Sequence, residues 1–141
     1  MTLTLDNTYN TILITFATGV LPGPTLVKVD AAATFHHTAG PTISPASNGV
    51  VGMVIDVDGT FVANGKAEYE STEFAPDLFT ITLPWVGLLP GGANHTILVR
   101  ARNFNSPLHT VVVDPLATVT ATANDPTAGI ASMTVLLFSR V

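Results

Sequence analysis

The pattern that most constrains this sequence is an alternation of apolar and polar side chains with a period of two. In residues 26–35 every position of one face is apolar: Val27, Val29, Ala31, Ala33 and Phe35. Residues 11–18, 78–86, 95–102 and 116–123 alternate in the same way, with Ile12, Ile14 and Phe16 sharing one face opposite Leu13. Successive side chains of a strand point to opposite faces, so this period predicts antiparallel strands with one buried face.

Two further segments, 50–57 and 131–138, are apolar on both faces. A strand of this kind lies between two apolar layers, either as a central strand of a sandwich or at a contact between subunits. Both interpretations stay open for each segment at the level of sequence.

Turn-forming residues separate the apolar segments. Asp58-Gly59 lies between two strand-like runs and is the strongest hairpin signal in the chain. Further reversals are predicted at Asn64-Gly65, Pro90-Gly91-Gly92, Asn105-Ser106-Pro107, Asp114-Pro115 and Asn124-Asp125-Pro126. Residues 66–75 fit a short helix, a polar edge strand or a loop equally well. The sequence therefore predicts one all-β domain of about eight to ten strands, either a sandwich or a barrel.

The chain is poor in charge for its size. Charged residues make up 11% of its 141 residues and the mean hydropathy is +0.46, whereas an average soluble domain has about 25% charged residues. We therefore expect part of the surface to be covered by copies of the chain or by other partners. The net charge of −5, without a cluster of basic residues, argues against a nucleic-acid ligand. The sequence also predicts no membrane span and no secretion signal, and hence synthesis in a cytoplasm.

Residues that could support catalysis or metal binding are scattered. The chain has no cysteine, and the adjacent His36 and His37 would point to opposite faces of a strand, so no metal site or cofactor is predicted. The run Asp56-Val57-Asp58-Gly59 resembles the start of a calcium loop, but position 12 of such a loop would be Ala67 instead of Glu, and a hairpin turn is predicted. Without a Gly-x-Ser-x-Gly motif or a catalytic carboxylate pair, we expect no catalytic residues and no enzyme activity.

Three stretches together resemble a known family. The runs VVGMVIDVDGTFVANGK, LPWVGLLPGGANHTILVRAR and MTVLLF occur in an order similar to that of the trimeric jelly rolls of the tumour necrosis factor and complement type. The similarity extends in particular to bacteriophage versions in tail-fibre heads and capsid decoration proteins. It covers roughly residues 25–141 and implies a jelly-roll β-sandwich that forms a homotrimer through an apolar inner sheet. Residues 1–24 are then an N-terminal arm or a first strand.

The resemblance implies a structural protein of a bacteriophage virion, since the chain lacks the cysteines and collagen-like stalk of secreted members. The most concrete expectation is a decoration protein that cements the capsid surface, with itself and the major capsid protein or other virion proteins as partners. The alternative is a tail-fibre or receptor-binding head that holds a host glycan, with Tyr69, Phe74 and Trp85 as candidate contacts. A third class, an enzyme or a cellular binding module, has no supporting motif.

The candidate interface residues come from two strands. Arg100 and Arg102 share the outward face of residues 95–104 in a chain that has only five basic residues. The hypothesis is that these arginines pair with carboxylates across a subunit or capsid contact. The complete candidate set is Leu98, Arg100, Arg102, Phe104, Leu136 and Phe138.

Overall fold

A computed structural model describes residues 9–39, 47–71, 77–104, 109–112 and 131–139. These residues form eight β-strands: β1 (Thr11–Val20), β2 (Thr25–Ala39), β3 (Ser47–Val57), β4 (Thr60–Ser71), β5 (Asp77–Leu89), β6 (Asn94–Asn103), β7 (His109–Val112) and β8 (Ala131–Ser139). No helix occurs in the described ranges, and accordingly none there is suited to crossing a membrane.

The strands form two antiparallel sheets. In the first, here called sheet I, the order is β1-β6-β3-β4. In sheet II, β5 pairs with one edge of β2, while β8 and β7 pair with successive parts of the other edge. Buried apolar residues of both sheets form one core between them, so the all-β prediction is confirmed and the arrangement is that of a β-sandwich.

The core is built from the inward positions that the alternation predicts. On β2, every inward residue from Val27 to Phe35 is at most 1% exposed. On β6, the positions Ile97, Val99 and Ala101 are fully buried. The period-two interpretation of residues 26–35 and 95–102 is therefore confirmed at the level of individual side chains.

On β1 the predicted inward face is wrong at Ile12 and Leu13. The register with β6 shifts between Ile12, which pairs with Arg100, and Ile14, which pairs with Val99. One extra residue on β1 at this bulge shifts the alternation of inward and outward side chains by one position. As a result Leu13 is buried in the core, while Ile12 is 42% exposed on the outside.

Three of the predicted turns lie in the described residues, and two of them connect strands as expected. Asp58 and Gly59 have φ values of 51° and 85° and form the two-residue hairpin between β3 and β4. Positive φ at both positions is the property of a type I′ turn, whose twist matches that of the strands. Residues 90–92 turn the chain between β5 and β6.

The reversal predicted at Asn64-Gly65 is wrong, because both residues lie inside the extended β4. A Cβ atom at Gly65 would lie 2.7 Å from the Leu83 side chain and 3.2 Å from that of Ile81. The glycine therefore permits close packing of β4 on β5. Residues 66–71 continue β4, whereas 72–75, the strand predicted at 116–123 and the three remaining predicted turns lie outside the described residues.

The two segments that are apolar on both faces differ in their surroundings. On β3 the inward residues fill the core, and the outward residues Val54 and Asp56 are also only 1% exposed. This strand is central in sheet I, as one of the two interpretations predicted. On β8, Ala131 lies in the core, but the outward Leu136 and Phe138 are 44% and 53% exposed.

Candidate interaction surfaces

The six predicted interface residues lie on two opposite outer faces of the sandwich. Leu98, Arg100 and Arg102 are outward positions of β6 in sheet I, and Phe104 follows them at the end of that strand. Leu136 and Phe138 are outward positions of β8 in sheet II. Any contact made by one group is therefore separate from a contact made by the other.

The outside of sheet II carries a group of exposed apolar side chains around Lys28, here called the apolar face. Its members come from three adjacent strands and are 44–68% exposed: Leu26, Val86, Leu88, Leu136 and Phe138. Leu88, Leu26 and Phe138 form one row across β5, β2 and β8. The next row is Val86, Lys28 and Leu136, and Lys28 forms an ion pair of 2.9 Å with Asp30. Large contiguous apolar areas of this kind mark interaction sites.

A groove of about 750 Å³ lies at the end of the apolar face, between Leu26, Leu88, Phe138 and the connection Pro22–Pro24. This connection is held by the turn between β5 and β6. The Gly92 N–H donates to the Leu21 carbonyl at 2.7 Å. A Cβ atom at Gly91 would lie within 2.3 Å of the Gly23 backbone, so only glycine allows this approach. The wall of the groove is therefore a fixed part of the fold.

Sequence reasoning identified only the β8 part of the apolar face. Leu26, Val86 and Leu88 occupy outward positions that an alternating strand normally gives to polar residues. Apolar residues at these outward positions are the signal in the sequence from which the rest of the apolar face could have been predicted. Their proximity depends on the pairing of β2 with β5 and β8, which connects residues far apart in the chain.

The outside of sheet I carries a second surface, here called the aromatic–cationic cluster. It consists of Tyr9, Phe61, Lys66, Arg102 and Phe104. The Arg102 guanidinium carbon lies 3.4 Å from the centre of the Phe104 ring and 4.8 Å from that of Tyr9. The Lys66 Nζ lies 4.9 Å from the Phe104 ring centre, and the Tyr9 ring meets both phenylalanines edge to face. Both cations are thus placed where the ring faces attract them.

Arg100 has a carboxylate partner within its own chain. Its Nε lies 2.8 Å from the Oδ2 of Asp56, which is 1% exposed. The N–H is not aligned with this oxygen, so the contact is an ion pair rather than a hydrogen bond. The other Asp56 oxygen accepts the Gly59 N–H at 2.7 Å. Arg100 therefore has a carboxylate partner on the neighbouring strand of its own chain, and its pairing across an interface stays a prediction.

His95, near the start of β6, contacts two turns at one end of the sandwich. Its Nδ1 lies 2.6 Å from the Asp58 carboxylate, and its Nε2 lies 3.0 Å from the Pro90 carbonyl oxygen. Since both neighbours are acceptors, both ring nitrogens donate when the imidazole is protonated. The hydrogen bond that His95 donates to the Asp58 carboxylate, and then the one it donates to the Pro90 carbonyl, raise the pKa of His95. The His95 contact and the Thr96 N–H lower the pKa of Asp58.

Other residues singled out in the sequence have structural surroundings or lie outside the described part. The Trp85 side chain is half-buried against the core, and its indole passes so close to Gly87 that a Cβ atom there would collide with it. The side chains of Tyr69, Phe74, His36, His37 and His109 lie outside the described part. Within the described residues, no group of three or more His, Asp or Glu side chains is placed to hold a metal ion.

Comparison with known proteins identifies no relative. No protein-family model matches the chain, and no curated protein matches it significantly. What the chain does must therefore be inferred from its own surfaces.

Proposed function

We propose that this chain is a structural protein that assembles as a homotrimer through the apolar face of sheet II and, in that form, cements a bacteriophage capsid. The observation that carries the self-association is the apolar face, where five large side chains remain 44–68% exposed. The capsid role follows from the resemblance to phage decoration proteins and from the absence of a catalytic motif. A decoration protein acts through the stability of its contacts.

The size of the apolar face supports self-association. Full burial of a Val, Leu or Phe side chain contributes about 1.5–3 kcal/mol. These side chains are already about half-buried, so closing a contact over them adds roughly 1 kcal/mol for each. Five such side chains on each subunit therefore contribute several kcal/mol before the cost of association. The low fraction of charged residues, 11%, is consistent with a surface of this kind.

The strand order supports the jelly roll as the finer form of this sandwich. Several consecutive strands, such as β1 and β2, β2 and β3, and β5 and β6, alternate between the two sheets. Among the described strands, the orders β1-β6-β3-β4 and β5-β2-β8 are compatible with a jelly roll in which one further strand would lie beside β8. In the resembled trimers an apolar inner sheet packs around the threefold axis, and sheet II would take that position.

Mass photometry or light scattering of the purified chain tests the trimer. We expect a trimer at micromolar concentration and its dissociation in Leu88→Glu, which places a charge at the most exposed member of the apolar face. The matched control is Thr82→Glu, because Thr82 is an exposed outward residue of the same strand and lies outside the apolar face. A monomeric wild-type chain, or an intact trimer in Leu88→Glu, would contradict the assembly.

The cementing role is tested with expanded, undecorated capsids of the virus that encodes the chain. We expect saturable binding and a higher melting temperature of the decorated particle. Absence of capsid binding together with adhesion to host cells would instead indicate a receptor-binding head. No described side chain specifically supports that second function, because the Trp85 indole packs against the core.

A further inference from the structure

The basic residues of this chain are concentrated on one outer face. Lys66, Arg100 and Arg102 are three of the five Lys and Arg residues, and all three are outward positions of sheet I. The chain as a whole has a net charge of −5. Such a local reversal of charge favours an anionic partner at this face.

Arg102 packs against aromatic rings and has no carboxylate partner among the described residues. Its guanidinium carbon lies 3.4 Å from the centre of the Phe104 ring, and the Tyr9 ring, inclined by 80° to that of Phe104, adjoins it at 4.8 Å. Its Nε is buried and has no hydrogen-bond acceptor among the described residues. The N–H groups of a guanidinium lie in one plane and recognise carboxylates in pairs. Because the buried Nε cannot be reached from outside, the two terminal NH2 groups of the half-buried Arg102 are its donors for an external oxygen.

Among the described residues, neither Lys66 nor Arg102 forms an ion pair with a carboxylate. Asp56, the buried carboxylate nearest to it, forms its ion pair with Arg100. Glu68 is an exposed outward residue of β4, two positions beyond Lys66, and forms no ion pair with Lys66 or Arg102. Lys66 and Arg102 are thus two cations beside the same ring, with Phe61 adjoining them at 55% exposure.

We propose that the aromatic–cationic cluster binds an acidic, partly apolar peptide segment of a protein partner. A carboxylate of the segment meets Arg102 and Lys66, and an apolar side chain of the segment packs on the exposed Phe61 ring. Burial of Phe61 supplies apolar contact, and Arg102 supplies the directional hydrogen bonds.

The chemistry of the cluster favours a peptide over other polyanions. Two unpaired cations on a chain of net charge −5 do not provide the extended basic track that a nucleic-acid backbone needs. An acidic glycan needs acceptors as well as donors for its hydroxyl groups, whereas the side chains of the cluster offer N–H donors and a single acceptor, the Tyr9 hydroxyl. A short segment with alternating acidic and apolar side chains matches both the two cations and the exposed Phe61 ring.

This proposal does not depend on the trimer, because the cluster belongs to one chain and lies on the opposite side of the sandwich from the apolar face. A monomer that binds the segment supports the cluster while contradicting the assembly. A trimer that does not bind the segment supports the assembly while contradicting the cluster.

The test is fluorescence anisotropy with a labelled eight-residue peptide of alternating Glu and Leu, beside a version with Gln in place of Glu. We expect binding of the Glu peptide that weakens at high salt, and little binding of the Gln peptide. Arg102→Gln should weaken binding about tenfold or more, and Lys66→Gln by a smaller factor. The matched control is Thr82→Glu, which also lowers the net charge by one but lies on sheet II outside the apolar face, and it should leave the affinity unchanged.

Each variant is first checked by thermal unfolding, and Arg102→Lys provides a second variant that keeps the charge but loses the planar fork. It should bind more weakly than the wild-type chain. The proposal is overturned if the Glu peptide does not bind, or if Thr82→Glu weakens binding as much as Arg102→Gln. Tighter binding of a polyuronate or of single-stranded DNA than of the Glu peptide would also overturn it, in favour of those classes.

Discussion

Gly52 determines how closely the aromatic rings approach sheet I. A Cβ atom at this position would lie 2.4 Å from the Phe104 ring and 2.7 Å from the Tyr9 hydroxyl. Because glycine has no side chain, both rings lie directly over the backbone of β3. The stacking of Arg102 on Phe104 therefore depends on the smallest residue of the neighbouring strand.

The substitution Gly52→Ala should displace both rings and lower the free energy of unfolding by about 1–3 kcal/mol, the usual cost of overpacking. The measurement is urea denaturation, with near-ultraviolet circular dichroism reporting the rings. Gly23→Ala is the control, since a Cβ atom there meets nothing within 4 Å, and its effect should stay within about 0.5 kcal/mol. Equal effects of the two substitutions would show that the rings do not depend on Gly52.

The contact between His95 and Asp58 makes part of the stability depend on pH. The raised pKa of His95 stabilises the fold below its ordinary value of 6.5, and this contribution is lost as the pH rises through the folded-state value. The lowered pKa of Asp58 stabilises the fold above its ordinary value of 3.8, and this contribution is lost as the pH falls through the folded-state value. The pair therefore contributes most between these two values.

Asp58→Asn tests this dependence, because asparagine tolerates the positive φ of the turn. The difference in the free energy of unfolding between the wild-type chain and the variant should be largest near about pH 5 and should shrink above about pH 7. Urea titrations at a series of pH values measure it, and the other histidines cancel in the difference. A difference that stays constant across this range would show that the pair does not titrate.

At the scale of the strand, the bulge in β1 exchanges the roles of two neighbouring residues. Leu13 is 6% exposed within the core, whereas Ile12 is 42% exposed. Leu13→Ala should therefore lower the free energy of unfolding by about 2–4 kcal/mol, and Ile12→Ala by about 1 kcal/mol or less. Chemical denaturation of the two variants compares them directly. A larger loss in the free energy of unfolding for Ile12→Ala than for Leu13→Ala would contradict the bulge and indicate an uninterrupted alternation on β1.

The strands show which parts of the fold are predictable from sequence. The alternation on β2 and β6 and the Asp58-Gly59 hairpin depend on near neighbours in the chain, and they were predicted correctly. The bulge in β1 was missed because it appears only in the register with β6. Gly65 was mistaken for a turn residue because the side chains that require a glycine there belong to β5.

The candidate surfaces were less predictable for the same physical reason. Arg102 and Phe104 were singled out because both stand on one short segment. Tyr9, Phe61 and Lys66 join them only through the pairing of β6 with β3 and of β3 with β4. Likewise, Leu88 and Phe138 become neighbours only because both flank Leu26 on β2.

At the scale of the whole molecule, an assembly that covers the apolar face should couple stability to concentration. Association that favours the folded chain stabilises it by mass action. We therefore expect the Tm of the wild-type chain to rise with protein concentration and that of Leu88→Glu to remain constant. Differential scanning fluorimetry over a hundredfold dilution series (about 1 to about 100 μM) measures both. A concentration-independent Tm in the wild-type chain would indicate that folding and association are not coupled.

The position of β2 has a consequence for how the chain folds during its synthesis. All other described strands of sheet II pair with β2, and β8 reaches it from roughly a hundred residues further along the chain. While the ribosome is still translating the residues before β8, the edge of β2 from Thr25 to Ala33 lacks that partner. An open strand edge beside apolar side chains invites pairing with other nascent chains. Sheet II is therefore the part of this protein for which a chaperone would matter most, until its last strand has left the exit tunnel.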